Sequence, residues 1–200
     1  MRMLRLVLWG AVASVAIALG LASTGLVPSR LPELARLPLA ASVGGPFELT
    51  DQSGKRFSSA QLAGKPFALF FGFTQCPDVC PTTLLELSNQ LAELGGNARE
   101  LTIVFITVDP ERDTPELLAA YLKSFDARVV GLTGTPAEIA TAARAYRAVY
   151  EKVATSGGYT MNHTALVYLM DAKGLLASTL TFQEPAATQR QKLARLLERK

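Results

Sequence analysis

The strongest constraint in this sequence is a pair of cysteines that directly follows an apolar, aromatic-rich run. Residues 67–73 predict a buried strand, Cys76 and Cys80 come next, and a helical pattern begins at residues 81–83. These are the only two cysteines among 200 residues, and His163 is the only histidine. Thiol or soft-metal chemistry is therefore confined to one strand-to-helix junction, with His163 as the one further candidate from elsewhere in the chain.

The charge distribution argues against nucleic acid as a partner. The formal net charge is +3, but four of the twenty basic residues and one of the seventeen acidic residues precede Ala41. From Ala41 onward the chain carries sixteen basic and sixteen acidic side chains, so the part expected to fold is neutral. A neutral domain lacks the basic surface that phosphate backbones require, and we predict no nucleic-acid binding.

The N-terminus has the pattern of a membrane-directed segment. Arg2 and Arg5 precede Leu6–Ala22, an uncharged run of seventeen residues that would span about 25 Å as a helix. Basic residues before an apolar run keep that end in the cytoplasm, so the rest of the chain is exported. We predict a single-pass anchor in residues 1–25 at the inner (cytoplasmic) membrane, a periplasmic linker at 26–43, and a domain outside the membrane. A signal peptide cleaved near Ala22 is the alternative.

The remaining chain, residues 44–200, alternates extended and helical patterns. A Gly-containing turn at residues 51–54 predicts an N-terminal hairpin, and Gly157-Gly158 predicts a second, inserted hairpin. The predicted strands are 67–73, 101–108, 129–132, 164–170 and 175–181, and the predicted helices start at residues 81, 115, 136 and 185. This order predicts an α/β fold, a thioredoxin-like α/β sandwich, with the inserted hairpin placed before a loop that carries His163.

A thioredoxin-like arrangement brings His163 towards the two cysteines. In that fold the loop before the penultimate strand, here Met161–His163, lies against the strand-to-helix junction. A helix N-terminus favours the thiolate, which is the form of cysteine that binds metals and attacks disulfides. Two thiolates and one imidazole form a soft set of three donors. Structural zinc takes four ligands, so a zinc site would need Asp78 or a second molecule, whereas copper accepts three.

Other interpretations of these residues stay open at this point. Cys76 and Cys80 are also compatible with a structural disulfide, although so short a loop would add little stability. His163 is also compatible with an ordinary hydrogen-bonded loop histidine. Three charged residues after the second predicted strand fit turn and helix-cap structure as well as a chemical role: Asp109, Arg112 and Asp113.

Five segments, in order over roughly residues 44–181, form a recognisable set: Phe71–Thr82, Thr107–Thr114, Leu132–Gly134, Tyr159–His163 and Tyr168–Asp171. In these segments the chain resembles the Sco/SenC family, thioredoxin-like copper proteins involved in assembling cytochrome c oxidase. The resemblance implies copper ligation by Cys76, Cys80 and His163, with one Cu(I) or Cu(II) ion per chain. Many family members have aspartate immediately before the histidine, whereas this chain has Asn162, which removes a negative charge beside the site.

The resemblance and the three donors predict a membrane-tethered metallochaperone that delivers copper to the dinuclear copper centre of cytochrome c oxidase. The expected partners are the oxidase subunit that holds this centre and either another copper chaperone or a thioredoxin-like reductant. The alternative is a thiol-disulfide oxidoreductase in which Cys76 and Cys80 are the redox-active pair and His163 is dispensable. A third hypothesis, peroxide reduction, rests only on Thr74 two residues before Cys76.

Overall fold

The computed structural model describes residues 43–198. The strands of this region are β1 (Glu48–Asp51), β2 (Arg56–Ser58), β3 (Phe67–Gly72), β4 (Thr102–Thr107), β5 (Val129–Thr133), β6 (Tyr150–Thr155), β7 (Gly158–His163), β8 (Leu166–Met170) and β9 (Leu176–Thr181). Its α-helices are α1 (Val79–Leu94), α2 (Pro115–Leu122), α3 (Pro136–Ala145) and α4 (Ala186–Glu198). Two short 3-10 helices occupy Ser59–Leu62 and Gly95–Ala98.

Seven of these strands form one mixed sheet, in the order β2-β1-β5-β4-β3-β8-β9. The central strands β3, β4 and β5 run parallel to one another. The predicted N-terminal hairpin, β1 and β2, joins β5 antiparallel, and the β8–β9 hairpin joins β3 antiparallel. Parallel strands connected by helices and closed by a terminal hairpin confirm the predicted thioredoxin-like α/β architecture.

Strand β3 is buried on both faces of the sheet. All of its residues, Phe67–Gly72, are buried, as the uninterrupted apolar pattern predicts. Because side chains alternate between the two faces of a strand, neighbouring residues of β3 pack in opposite directions. The ring centroids of Phe70 and Phe105 lie 6.0 Å apart on one face, and those of Phe71 and Tyr146 lie 6.0 Å apart on the other. The junction after β3 is therefore held from both sides.

Helix α1 begins two residues earlier than the leucine pattern indicates. The pattern predicts a start at Pro81, whereas the helix starts at Val79 and includes Cys80 in its first turn. Proline is tolerated there because the first amides of a helix have no intrahelical partner. Cys80 is therefore part of the helix while Cys76 stays in the preceding loop, and the two thiols have different backbone surroundings.

The next two helices start where the sequence predicts. Thr114 caps α2 by accepting a hydrogen bond from the Leu117 amide at 3.3 Å, and Pro115 opens the helix. Thr135 and Glu138 form a reciprocal capping box at the start of α3. These caps orient the loops that follow the parallel strands.

Strands β6 and β7 form a hairpin that lies outside the main sheet. Among the described residues these two strands pair only with each other, with Tyr150 opposite His163 at the base. The inserted hairpin is thus present, but the prediction of a loop at Met161–His163 was wrong, because His163 is the last residue of β7. Pairing continues to the base of the hairpin, where the Thr164 amide donates to the Val149 carbonyl at 2.9 Å.

The predicted membrane anchor, residues 1–25, and the predicted linker up to residue 42 lie outside the described residues. Between residues 43 and 198, no helix is both long enough and apolar enough to cross a bilayer.

Candidate metal centre

The three predicted donors meet at the carboxyl end of β3. Cys76 lies in the loop after this strand, Cys80 in the first turn of α1, and His163 at the end of β7. One ligand atom from each residue lies within 4.8 Å of the other two, and His163 Nε2 is 3.5 Å from Cys80 Sγ. Both cysteines are free thiols, Cys76 partly exposed and Cys80 buried. The fold thus brings together all three residues that the sequence singles out.

Cys76 lies two residues before Asp78, the N-cap residue of α1, and its sulfur accepts a hydrogen bond from the first turn of that helix. The Cys80 amide, in the first turn of α1, donates to Cys76 Sγ at 3.4 Å, while the Asp78 carboxylate accepts a hydrogen bond from Thr82 Oγ1 at 3.3 Å. A hydrogen bond from the Cys80 thiol outweighs partial burial and, together with the backbone amides of Asp78 and Cys80, lowers the pKa of Cys76 from 9.0 to about 3. The dipole of α1 acts in the same direction. Cys76 is therefore a thiolate at neutral pH.

Cys80 has the opposite character. Its hydrogen bond to Cys76 and its burial both raise the pKa of Cys80 above its ordinary value, and the charge of Asp113 adds to this. Its sulfur packs against Gly72, where an added Cβ would lie 2.8 Å from Cys80 Sγ and 2.6 Å from the ring of Phe105. Only glycine leaves room for that sulfur. The pair consists of one accessible thiolate and one enclosed thiol.

The ring of His163 is held with one nitrogen facing the thiols. Its Nδ1 lies 3.1 Å from the carbonyl oxygen of Thr164. Because a carbonyl oxygen can only accept, we assign the proton of the neutral ring to Nδ1, which leaves the Nε2 lone pair facing Cys80. The rings of Phe70 and Phe73 contact the imidazole edge to face, at centroid distances of 6.1 and 5.9 Å. His163 is thus prepared to act as a ligand through Nε2.

A buried carboxylate fixes the start of the cysteine loop. Asp113 is fully buried, and its Oδ2 accepts hydrogen bonds from the Thr74 amide at 3.0 Å and from Thr107 Oγ1 at 2.6 Å. Its Oδ1 accepts a third from Thr74 Oγ1 at 2.6 Å. The Thr74 hydroxyl donates its hydrogen to this carboxylate and not to Cys76. This does not favour the peroxide-reduction hypothesis, which needs Thr74 to act at Cys76. The sequence was compatible with either a helix-cap or a chemical role for Asp113. In the structure Asp113 supports the loop that carries Cys76.

Arg112 connects the cysteine loop to the β6–β7 hairpin. Its Nε pairs with Asp109, and its Nη1 donates to Gln75 Oε1 at 2.9 Å and to the Tyr159 carbonyl at 3.0 Å. The guanidinium carbon lies 3.8 Å from the centroid of the Tyr159 ring, and the Tyr159 hydroxyl donates to Asp109 Oδ1 at 2.9 Å. No local sequence pattern indicates this role for Tyr159, because its partners lie 47 and 50 positions earlier in the chain.

The donor set fits a copper ion. Bonds of about 2.0–2.3 Å from a metal to sulfur or imidazole nitrogen place two donors no more than roughly 4.6 Å apart. Donor atoms within 4.8 Å of one another therefore need only small movements to share one ion. Asp78, the fourth ligand required by the zinc alternative, lies outside the donor cluster found among the described residues. Two sulfurs and one imidazole match the ligand preference of copper.

The low pKa of Cys76 predicts unusual reactivity in acid. We expect alkylation of the reduced, metal-free chain by iodoacetamide at Cys76 to change little between pH 8 and pH 5. An ordinary thiol of pKa about 8.5 would slow roughly tenfold per pH unit over most of this range. Since folding lowers the pKa of Cys76 from 9.0 to about 3, the thiolate stabilises the folded state fully above pH 9, and this contribution declines as the pH falls towards 3.

The measurement is mass spectrometry of the modified peptide across the pH series. Cys80→Ala is the matched variant, because it removes the thiol donor that contributes most to lowering the pKa of Cys76. This variant should show a steeper dependence on pH. A tenfold loss of rate per pH unit in the unsubstituted chain would contradict the prediction.

Comparison with known proteins identifies the family. The model of the family described as SCO1/SenC matches residues 35–198. The chain belongs to the SCO1/SenC family. It is 41% identical over 135 residues to a SCO2-like protein of Rickettsia prowazekii, an alignment that covers 66% of each chain. The chain spans between 40% and 66% of the length of the curated relatives it matches.

Solved structures of SCO1/SenC proteins share the fold described above. The copper-bound structure of ScoI from Bradyrhizobium japonicum is 48% identical, with a TM-score of 0.72, and the match covers 78% of this chain and 99% of that one. BsSco, described as a Sco-family cytochrome c oxidase assembly protein with a disulfide switch, is 25% identical, with a TM-score of 0.64 and coverage of 82% and 97%. These matches confirm the resemblance seen in the sequence.

Proposed function

We propose that this chain is a copper-binding metallochaperone that delivers copper to the dinuclear copper centre of cytochrome c oxidase during its assembly. The observation that carries the proposal is the convergence of Cys76, Cys80 and His163 within 4.8 Å in a SCO1/SenC domain. A copper ion can be held by three soft donors and can then be passed to a partner that also offers thiolate ligands. We assign Cys76, Cys80 and His163 as its ligands, with one ion per chain.

The surroundings of the three donors suit a carrier. Cys76 offers a thiolate at neutral pH and is partly exposed, so an incoming partner can reach it. An open groove runs beside His163 and is lined by Val149, Tyr150 and Asn162, of which Val149 is 74% exposed. Cys80 is enclosed by Gly72 and Phe105 and gives the ion a fixed inner contact. Such a site holds copper on the enclosed side through Cys80 and leaves it accessible to a partner on the exposed side, next to Cys76.

The location and partners follow from the same proposal. We infer that residues 1–25 anchor the chain in the inner membrane with a single pass, and that residues 26–43 link this anchor to a domain, residues 44–200, in the periplasm. The acceptor is the oxidase subunit that holds the dinuclear copper centre. The donor is another copper chaperone, and a thioredoxin-like protein keeps Cys76 and Cys80 reduced, because a disulfide offers no thiolate to bind the ion.

The experiment that tests the proposal is a copper titration of the reduced full-length chain beside Cys76→Ser and Cys80→Ser. We expect one copper per chain and a sulfur-to-copper charge-transfer band, both strongly reduced in either variant. The same variants should fail to restore oxidase activity to cells that lack this protein. An unsubstituted chain that binds no copper, or variants that restore full oxidase activity, would refute the proposal.

A thiol-disulfide oxidoreductase is the second candidate, favoured by the contrast between the two cysteines. The Cys76 thiolate would attack a partner disulfide, forming a mixed disulfide and releasing one partner thiolate. Cys80, after losing its proton, would attack Cys76 Sγ, forming the Cys76–Cys80 disulfide and releasing the second partner thiol. Two electrons pass to the partner. Disulfide reduction that survives in His163→Ala, together with full restoration of oxidase activity by that variant, would favour this role over the chaperone.

A further inference from the structure

The β6–β7 hairpin depends on contacts with the rest of the domain for its position. Among the described residues it forms a sheet of its own and shares no strand pairing with β1–β5, β8 or β9. An isolated two-stranded hairpin is marginally stable in water. This hairpin nevertheless carries His163, so the contacts that seat it on the domain also decide where the imidazole lies.

One face of β7 is turned towards the domain. Side chains two positions apart share a face of a strand, so Tyr159, Met161 and His163 point the same way. Met161 is 7% exposed and Tyr159 and His163 are partly buried, whereas Asn162 between them is exposed. On the face of β7 that carries His163, Tyr159 is thus the residue nearest the tip of the hairpin.

Arg112 contacts this face of β7 near the tip of the hairpin, at Tyr159. Its guanidinium donates to the Tyr159 carbonyl at 3.0 Å and stacks on the Tyr159 ring at 3.8 Å. The same group pairs with buried Asp109 and donates to Gln75, the residue before Cys76. A planar guanidinium meets these acceptors and an aromatic face at once, which an ammonium group cannot do.

Arg112 is also linked to the imidazole of His163 indirectly, through the ring of Phe73. Its guanidinium carbon lies 5.9 Å from the centroid of the Phe73 ring, and that ring contacts His163 edge to face. The neighbouring contact of Lys152 with Glu111, at 2.7 Å, lies in solvent and contributes little to holding the hairpin. Arg112 is therefore linked to the loop that carries Cys76, to the strand that carries His163, and to a ring that contacts the imidazole.

We propose that Arg112 is a positioning residue for the metal centre, and that its guanidinium holds the hairpin, and with it His163, against the cysteine loop. The copper readouts of this inference rest on the proposed function, since they concern the copper site, whereas the effect on the hairpin does not need a metal. Outer partners of metal ligands typically change metal affinity by about 10–100-fold when they are removed.

The test compares Arg112→Gln and Arg112→Lys with the unsubstituted full-length chain. We expect both variants to lose about tenfold in copper affinity and to keep the sulfur-to-copper charge-transfer band. Nitrogen coupling in the electron paramagnetic resonance spectrum of the Cu(II) form should weaken or become heterogeneous, because His163 is no longer held beside the sulfurs. Lysine should not rescue, because the role requires the planar guanidinium rather than the charge.

Amide hydrogen exchange of the metal-free chain provides the second readout. Amides of β6 and β7 should exchange at least about tenfold faster in Arg112→Gln, while those of β3 and β4 stay unchanged. Arg56→Gln is the matched control, since Arg56 pairs with Glu48 and Glu138 on the exposed face of the N-terminal hairpin. It should match the unsubstituted chain in every measurement.

Two results would overturn the inference. One is an Arg112→Gln variant that matches Arg56→Gln in nitrogen coupling, affinity and hairpin exchange. The other is full rescue by Arg112→Lys, which would show that charge alone is sufficient. If the unsubstituted chain binds no copper, the proposed function falls, and the exchange measurement on the metal-free chain still decides whether Arg112 seats the hairpin.

Discussion

We expect the replacement of His163 by alanine to lower copper affinity by more than about 100-fold and to leave the fold intact. Loss of a partner of a ligand already costs about 10–100-fold, and here a ligand itself is removed. The two sulfurs remain, so a sulfur-to-copper band of altered position and residual binding are expected. The measurements are competition titration against a copper chelator and the nitrogen coupling of the Cu(II) form, which should disappear.

The matched control for His163→Ala is Asn162→Asp. The Asn162 side chain is exposed and lies on the opposite face of β7 from the imidazole. An exposed charge is worth about 1 kcal/mol or less, so affinity should stay within roughly fivefold, with nitrogen coupling unchanged. Equal affinity in His163→Ala and the unsubstituted chain would remove His163 from the ligand set and favour the oxidoreductase over the chaperone.

We expect the replacement of Asp113 by alanine to lower the free energy of unfolding by about 3 kcal/mol and to weaken copper binding. Hydrogen bonds to a charged group contribute about 1.5–3 kcal/mol each, and alanine leaves the partly buried Thr74 amide and two hydroxyls without their acceptor. The cysteine loop then loses its attachment to Thr107. Asp113→Asn should cost only about 1 kcal/mol, because an amide oxygen keeps two bonds and the Thr74 hydroxyl can rotate to accept.

Asp51→Ala is the matched control for this prediction. Asp51 also accepts three hydrogen bonds, from the Ser53 amide, Ser53 Oγ and the Lys55 amide, but in an exposed turn. Water replaces those bonds, so chemical denaturation should show a loss of about 1 kcal/mol or less and copper affinity should not change. If Asp113→Ala is no more destabilising than Asp51→Ala, burial of the carboxylate does not carry the role assigned to it.

Local patterns in the sequence were sufficient to predict most of the fold. The uninterrupted apolar run of β3 predicts a strand covered on both faces, and the packing of Phe70 and Phe71 in opposite directions confirms it. The Thr-Pro pairs at residues 114 and 135 predict the starts of α2 and α3, because capping chemistry lies within four residues. The order of these elements then places a lone histidine near the cysteine pair.

The support of the site was not predictable in the same way. Asp113 and Thr74 are 39 positions apart, and Arg112 and Tyr159 are 47 positions apart. A charged residue after a strand has the same local appearance whether it caps a turn or lies buried under a distant loop. Only the fold distinguishes the two, so the sequence alone left Asp109, Arg112 and Asp113 between cap and chemistry.

The error at His163 has a related cause. The pattern Gly157-Gly158 marks the tip of the hairpin correctly, but nothing local indicates how far pairing extends towards the base. In the structure β7 continues through His163, which gives the imidazole the fixed direction of a strand residue. A ligand carried on a strand is better positioned than one carried on a loop.

The separation of the donors along the chain also governs biogenesis. A ribosome releases Cys76 and Cys80 long before His163, which follows Cys80 by 83 positions. Until the last third of the polypeptide folds, both sulfurs belong to an open chain, without the hydrogen bonds that distinguish them and without the walls that enclose Cys80. The thiols of the nascent chain therefore keep the ordinary reactivity of a cysteine of pKa 9.0, and the thiolate of Cys76 forms only together with the copper site.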